Sequence, residues 1–187
     1  MSLDYQQIAQ SHQQAVDSVF AQRAQIEAIA DLMIERLKAG SKVMWCGNGG
    51  SAAEAQHMAA ELMVRYVKNR QALASIALTN DSSILTAHPN DFDFDTVFAR
   101  QVQGLGQKGD LLIGMSTSGK SANILNALKA AQAQGVNTIA LVGQDSSTVA
   151  SLADYIIQID SQTTARIQEA HTLTNHLICE LLDLAFD

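Results

Sequence analysis

Two short turns rich in serine and glycine, Gly47-Asn48-Gly49-Gly50-Ser51 and Ser116-Thr117-Ser118-Gly119-Lys120-Ser121, each follow an apolar run and each precede a stretch of helical character. The runs before them, Val43-Met44-Trp45-Cys46 and Leu111-Leu112-Ile113-Gly114-Met115, are continuously apolar, which is the pattern of strands buried on both faces. A parallel strand ending in such a turn sets the unbonded amides of the next helix at its carboxyl end, where they attract anions. One such turn is an ordinary helix cap as readily as a ligand site. Two in one short chain point to a phosphorylated small molecule.

The remaining pattern supports this sheet. Strand-like runs recur at 42–46, 74–78, 110–115, 136–142 and 154–159, with room for helices at 51–66, 82–104, 120–134 and 145–152. Alternation of this kind predicts an α/β fold with a five-stranded parallel sheet covered by helices on both faces. Apolar positions at helical spacing from Ile8 to Leu37, followed by Gly40, predict one long N-terminal helix or two joined ones, and 163–186 reads as a C-terminal helix. Pro89 predicts a break at His88. No repeat, linker or low-complexity tract divides the chain, so residues 1–187 form one domain. The apolar faces of the outer helices, with Leu181, Leu182, Leu184, Ala185 and Phe186, exceed what one small sheet covers and predict self-association.

Charge narrows the partners. The net charge is −7 and the 12 Lys and Arg residues are scattered, which argues against a nucleic-acid groove or an anionic membrane surface. No apolar run approaches the ~20 residues of a membrane span and the N-terminus is polar, so a cytoplasmic protein is expected. Cys46 and Cys179 lie in apolar contexts and read as small core residues.

Gly114-Met115-Ser116-Thr117-Ser118-Gly119-Lys120-Ser121 also matches the nucleotide-binding P-loop pattern between a strand and a helix. That pattern needs a downstream strand ending in a magnesium-binding aspartate, and only Asp145 and Asp160 offer themselves. The hydroxyls of Ser116, Thr117, Ser118 and Ser121 instead suit a phosphate monoester on a sugar. His57 and Glu61, four apart on one helix, make an acid–base or metal-binding pair or a plain surface pair. The last helix adds Gln168, His171 and His176; Gln168 and His176 are about 80° apart around the axis and ~12 Å apart along it. Arg65 offsets anionic ligand charge or ends a solvated helix, and Asp91 lines a site or caps the following helix. His12 and His88 read as solvent-facing.

Five segments form one ordered set: Cys46-Gly47-Asn48-Gly49-Gly50-Ser51, Gln56 to Leu62 around His57 and Glu61, Asn90-Asp91-Phe92, Ser116-Thr117-Ser118-Gly119 with Ser121, and Ala165-Arg166-Ile167-Gln168-Glu169 running on to His176. The set resembles the sugar isomerase (SIS) domain family, and within it the branch that acts on phosphoheptoses, over nearly the whole chain. The resemblance implies a single SIS domain in a homotetramer. It implies isomerisation of D-sedoheptulose 7-phosphate to D-glycero-D-manno-heptose 7-phosphate through an enediol, the first step toward the ADP-heptose of bacterial lipopolysaccharide. Carried over residue by residue, it gives Ser116, Thr117, Ser118 and Ser121 to the phosphate. It gives Asn48, Gly49, Gly50, Ser51, Asn90 and Asp91 to the sugar, with Glu61, Arg65 and Gln168 also on the substrate. His57, Glu61, Gln168 and His176 become a zinc set, and Glu61 and His176 the proton-transfer pair. Glutamine is an unusual zinc ligand, so its place in that set rests on the resemblance alone.

Two departures stand out: Lys120 where the family more often has asparagine, and Gln144-Asp145-Ser146-Ser147 in place of an Asp-Gly-Gly turn. A rival from another class is a nonenzymatic relative that binds the replication initiator. Such relatives lack a carboxylate at position 61, and this chain has Glu61.

Overall fold

The computed structural model describes residues 3–186. In chain order the elements are α1 (Tyr5–Phe20), α2 (Arg23–Lys38), β1 (Val43–Gly47), α3 (Gly50–Met63), β2 (Ser75–Ala77), α4 (Ser82–Asp91), a single 3-10 turn (Phe94–Thr96), α5 (Val97–Leu105), β3 (Leu111–Ser116), α6 (Ala122–Ala133), β4 (Asn137–Val142), β5 (Tyr155–Gln158) and α7 (Thr164–Ala185). The N-terminal periodicity thus resolves into two helices.

Four local expectations are corrected. The helix expected over 82–104 is broken into α4, the 3-10 turn and α5, because Phe92 is extended and ends α4. Pro89 does not break α4 at His88; it sits inside the last turn, where only one upstream carbonyl bond is forfeited. His88 is not solvent-facing: it is buried, its Nε2 lies 2.8 Å from Thr96 Oγ1 and its ring stacks on Phe92. Residues 145–152 form turns instead of a helix. There Asp145 accepts from both the backbone N–H and the hydroxyl of Ser147, a local bond that competes with helix formation.

The five strands form one parallel sheet in the order β2-β1-β3-β4-β5. Side chains alternate across it. Val43, Trp45, Ile113, Met115, Leu141 and Ile157 pack under α1, α2, α3 and α7, while Met44, Cys46, Leu112, Ala140 and Val142 pack under α5 and α6. Both cysteines are buried and free, and burial pushes each thiol up to about 12, as inert core residues require. The chain leaves β1 toward β2 on one side and resumes with β3 on the other. A crevice therefore opens at the carboxyl ends of β1 and β3, where an open α/β sheet binds ligands. The register pairs Gly47 with Met115, which sets the two serine- and glycine-rich turns side by side.

A buried ion pair fastens the segment after α3. Arg70 Nε donates to Asp183 Oδ1 of α7 at 2.8 Å, with the two side chains 1% and 5% exposed. Asp183 Oδ2 also accepts the backbone N–H groups of Val67 and Lys68, and Arg70 donates to the carbonyls of Glu61 and Leu62. Burial by itself would raise the Asp183 carboxyl, but these donors outweigh it and hold the group below 3.8. Its charged form is therefore bound more tightly in the folded state. The stability it contributes is complete above pH ~4 and is lost as pH falls through the lowered folded value. Asp183→Asn is expected to lose about 3–5 kcal/mol, since it leaves a buried guanidinium uncompensated. Urea unfolding at pH 7 and pH 3 checks this: the gap between wild type and variant must shrink at the lower pH.

Candidate active site

The second turn closes on its own hydroxyls. Ser116, the last residue of β3, is buried, and its Oγ lies 3.0 Å from Ser121 Oγ and 3.4 Å from Ser118 Oγ. Ser118 Oγ accepts the Lys120 N–H at 3.2 Å. Gly119 has φ +66°, and a Cβ there would come within 2.3 Å of the Asp145 carbonyl oxygen, so only glycine closes the turn. Ser121 is the N-cap of α6 but gives no side-chain cap bond, which leaves the helix amides open beside three converging hydroxyls. An open cavity of ≈ 310 Å³ adjoins Thr117 and Ser118 and reaches Gln162 and Thr164 at the start of α7.

Lys120 points elsewhere. Its ammonium stands 2.9 Å from Asp145 Oδ2 on the surface, and Asp160 is engaged by Gln14 and Gln144. The P-loop resemblance therefore has neither its lysine turned on the phosphate turn nor an uncommitted aspartate among the two named for magnesium.

The first turn is tied to the second. Asn48 and Asn123 of α6 exchange reciprocal amide bonds at 2.9 and 2.8 Å. A Cβ on Gly47 would meet the Ser51 carbonyl oxygen at 2.5 Å, so this position also demands glycine. Gly49 is the N-cap of α3, without a side-chain bond, and Ser51 is buried in its first turn.

From here α3 runs alongside α7 in the same direction. Gly50, Glu54, His57 and Glu61 recur at helical spacing along one stripe of α3. The first three meet counterparts on α7. Gly50 lies against the Gln168 amide, so that a Cβ would be 2.5 Å from Nε2. Glu54 accepts from Thr172 Oγ1 and Asn175 Nδ2, both at 2.9 Å. His57 Nε2 stands 3.1 Å from Glu61 Oε1, its Nδ1 3.5 Å from Glu54 Oε2, and its ring meets His176 edge-on at 5.2 Å. The Tyr66 ring covers His176 at 5.5 Å.

This polar seam gathers some of the expected residues and separates others. His57, Glu61 and His176 come together at its lower end. Gln168 sits at the upper end beside Gly50, two turns or ~12 Å along α7 from His176. Among the described residues no group of three or more His, Cys, Asp and Glu side chains is arranged to hold a metal ion. Arg65 lies just beyond α3, exposed, donating to the Val67 carbonyl. Asn90 and Asp91 end α4, exposed, with the Asn90 amide donating to Asp91 at 2.9 Å. His12 is half-exposed and pairs with Glu169 at 2.7 Å.

Two members of the seam carry no role in the sequence reading. Glu54 is readable in hindsight from its i, i+3, i+7 spacing with His57 and Glu61. His171 is fully buried behind Gly50 and Ser51, with Nε2 3.2 Å from the Val142 carbonyl and Nδ1 without a partner. Burial lowers it to about 4, against 6.5 in water, so it is neutral in the folded chain and donates through Nε2–H.

Adjacent hydroxyl-lined turns at the switch point of a 2-1-3-4-5 sheet, with a carboxylate–imidazole cluster on the flanking helices, define a phosphosugar-binding α/β protein. The SIS domain family matches residues 5–143. A phosphoheptose isomerase of Akkermansia muciniphila is 50% identical over 158 residues, 84% of either chain, and one of a Nitratiruptor species is 49% identical over 94% of either chain. The solved phosphoheptose isomerase of Neisseria gonorrhoeae superposes with a TM-score of 0.88 at 41% identity, covering 95% of both chains. The chain belongs to the SIS domain family and groups with its phosphoheptose isomerases.

For His171 the sign of the pH effect follows from its lowered value. Above pH ~6.5 it adds nothing to pH dependence, and stability falls as pH drops from there toward 4, because only the unfolded chain takes the proton. NMR titration is expected to show the His171 ring still neutral at pH 5, where an exposed imidazole is charged.

Proposed function

We propose that this chain isomerises D-sedoheptulose 7-phosphate to D-glycero-D-manno-heptose 7-phosphate, and so supplies the sugar of ADP-heptose synthesis. The observation that carries this reading is the meeting of Glu61, His57 and His176 on α3 and α7, in a chain about half identical to phosphoheptose isomerases. Ser116, Thr117, Ser118 and Ser121 hold the phosphate with the amides of α6. Asn48, Gly49, Gly50 and Ser51 line the sugar, with Asn90, Asp91, Arg65 and Gln168 as further contacts.

The chemistry moves one carbonyl by one carbon. Glu61 takes the C1 proton of the ketose while His176 gives a proton to the C2 oxygen, and the enediol forms. Glu61 then returns its proton to C2 and His176 accepts the one on the C1 oxygen, which leaves the aldose and restores both groups. Two imidazoles and a carboxylate are a donor set suited to zinc, so His57, Glu61 and His176 would hold it; Gln168, ~12 Å along α7 from His176, would join them only from another copy of the chain. When bound, zinc would polarise the sugar carbonyl.

The dimensions favour a shared site. Six carbon–carbon bonds of ~1.5 Å separate C1 from C7, a span under ~9 Å, whereas Ser51 and Glu61 are ten residues or ~15 Å apart along α3. Because the first turn stands beside the second, we assign the two turns and the acid–base pair of one site to different copies of the chain, and a homotetramer as the assembly. Exposed Phe20 and Leu184 on the outer helices fit such contacts. The absence of a long apolar helix among the described residues fits a cytoplasmic enzyme.

Glu61→Gln is expected to lower turnover of sedoheptulose 7-phosphate about 10²- to 10⁴-fold with circular dichroism unchanged. A near-normal rate removes Glu61 as the base, and no turnover by a folded wild type shifts the reading to an interaction protein. Chelator dialysis is expected to abolish activity and zinc to restore it. Co-refolding Glu61→Gln with Ser118→Ala/Ser121→Ala chains tests the shared site, since mixed assemblies should show activity that neither variant has alone.

A further inference from the structure

The open cavity beside the second turn has one charged wall. Of the residues that line it only Asp145 is ionisable; the rest include the hydroxyls of Thr117, Ser118 and Thr164 and the amides of Gln144 and Gln162. The segment that carries Asp145 abuts the turn. A Cβ on Gly143 would collide with the Thr117 carbonyl oxygen, and one on Gly119 with the Asp145 carbonyl oxygen. The side chain is held as well, since the N–H and hydroxyl of Ser147 donate to Oδ1 at 3.0 and 2.6 Å. These bonds, with Lys120 on Oδ2, keep the carboxyl far below the usual carboxylate range, so it is charged at any working pH.

A fixed negative charge beside hydroxyls and amides suited to a phosphate repels the ligand that the turn is built to hold. Lys120 is placed to cancel it. Its ammonium stands 2.9 Å from Asp145 Oδ2, while its backbone N–H belongs to the turn and donates to Ser118 Oγ at 3.2 Å. The two side chains are 63% and 46% exposed, so the pair adds little to the stability of the fold. Its consequence is for the field at the cavity. With the pair formed, an incoming anion meets almost no net charge on this wall; without the ammonium it meets Asp145 alone.

We propose that Lys120 and Asp145 form a charge-compensating pair that sets the affinity of the second turn for phosphate: Asp145 forms the cavity wall, and Lys120, bound to it instead of to the ligand, offsets its charge. The proposal deepens the phosphosugar reading of the turn and rests on it. Lys120 acts through Asp145, and neither touches the His57, Glu61 and His176 cluster, so the pair governs binding and leaves the chemical step alone.

Lys120→Ala is expected to raise KM for sedoheptulose 7-phosphate about 3- to 10-fold at low salt, with kcat within about twofold of wild type. The penalty should shrink in about 0.5 M salt, which screens exposed charges. Asp145→Asn keeps an acceptor for Ser147 and removes the charge, so Lys120→Ala/Asp145→Asn should bring KM back to within about twofold of wild type. That rescue separates the possible roles of the lysine. If the ammonium bound the phosphate directly, the double variant would stay as weak as Lys120→Ala; if the pair were inert, Lys120→Ala would match wild type. Either result overturns the proposal. Both positions are exposed, so the variants are expected to fold, and calorimetry with inorganic phosphate repeats the comparison without turnover. Should wild type bind phosphate but leave sedoheptulose 7-phosphate unchanged, the isomerase reading falls while the order of phosphate affinities still decides the role of the pair. A folded wild type that binds neither ligand overturns both.

Discussion

The parallel pairing of β1 with β3 is the constraint from which the rest of the structure follows. It places β1 inside the sheet, with β2 on one flank and β3, β4 and β5 on the other, and so creates the place where consecutive crossovers diverge to opposite sides. The register that matches Gly47 to Met115 brings two turns 70 residues apart in sequence into one crevice, and the Asn48–Asn123 pair locks them there. Both turns need glycine for contact reasons. At Gly47 and Gly119 a methyl group would collide with backbone oxygen, which no side-chain rearrangement relieves.

The flanking layer solves a different problem. Helices α3 and α7 bury carboxylates, amides and imidazoles along their shared face, where an apolar seam would be simpler to stabilise. Several of the polar groups meet one another in sequence down the seam, as Gly50 admits Gln168, Glu54 takes Thr172 and Asn175, and His57 meets Glu61 and His176, while His171 Nδ1 and Asn175 Oδ1 stay without partners. Below it, the Arg70–Asp183 pair ties the segment after α3 to α7 and donates to the carbonyl of Glu61 itself. The helix that carries the proposed base is thereby fixed at both ends, by a glycine contact at the top and a buried ion pair at the bottom.

Much of this was legible residue by residue. Apolar runs marked all five strands to within a residue or two, most cleanly β1 and β3, which are buried on both faces. The two turns, His57, Glu61 and His176 were identifiable from composition and spacing or from the family likeness. Local chemistry misled in three places. Pro89 is tolerated near the end of α4, the fixed and stacked ring of His88 is hidden from solvent, and the Asp145–Ser147 bonds replace a helix. Glu54, Arg70 and Asp183 carried no signal in the sequence, since burial of a charged side chain depends here on a partner over 100 residues away.

By itself the sequence determined the class of fold, the position of the two serine- and glycine-rich turns and the types of polar residue on the helices beside them. These follow from short-range periodicity and from the local turn signal of glycine and serine. Only the tertiary structure decided which polar groups share a face: that Gln168 stands with Gly50 and His176 with His57, that Lys120 faces Asp145, and that Glu54 sits between them. Those outcomes depend on the alignment of two helices 100 residues apart, and that alignment is set by the sheet beneath them rather than by either helix alone.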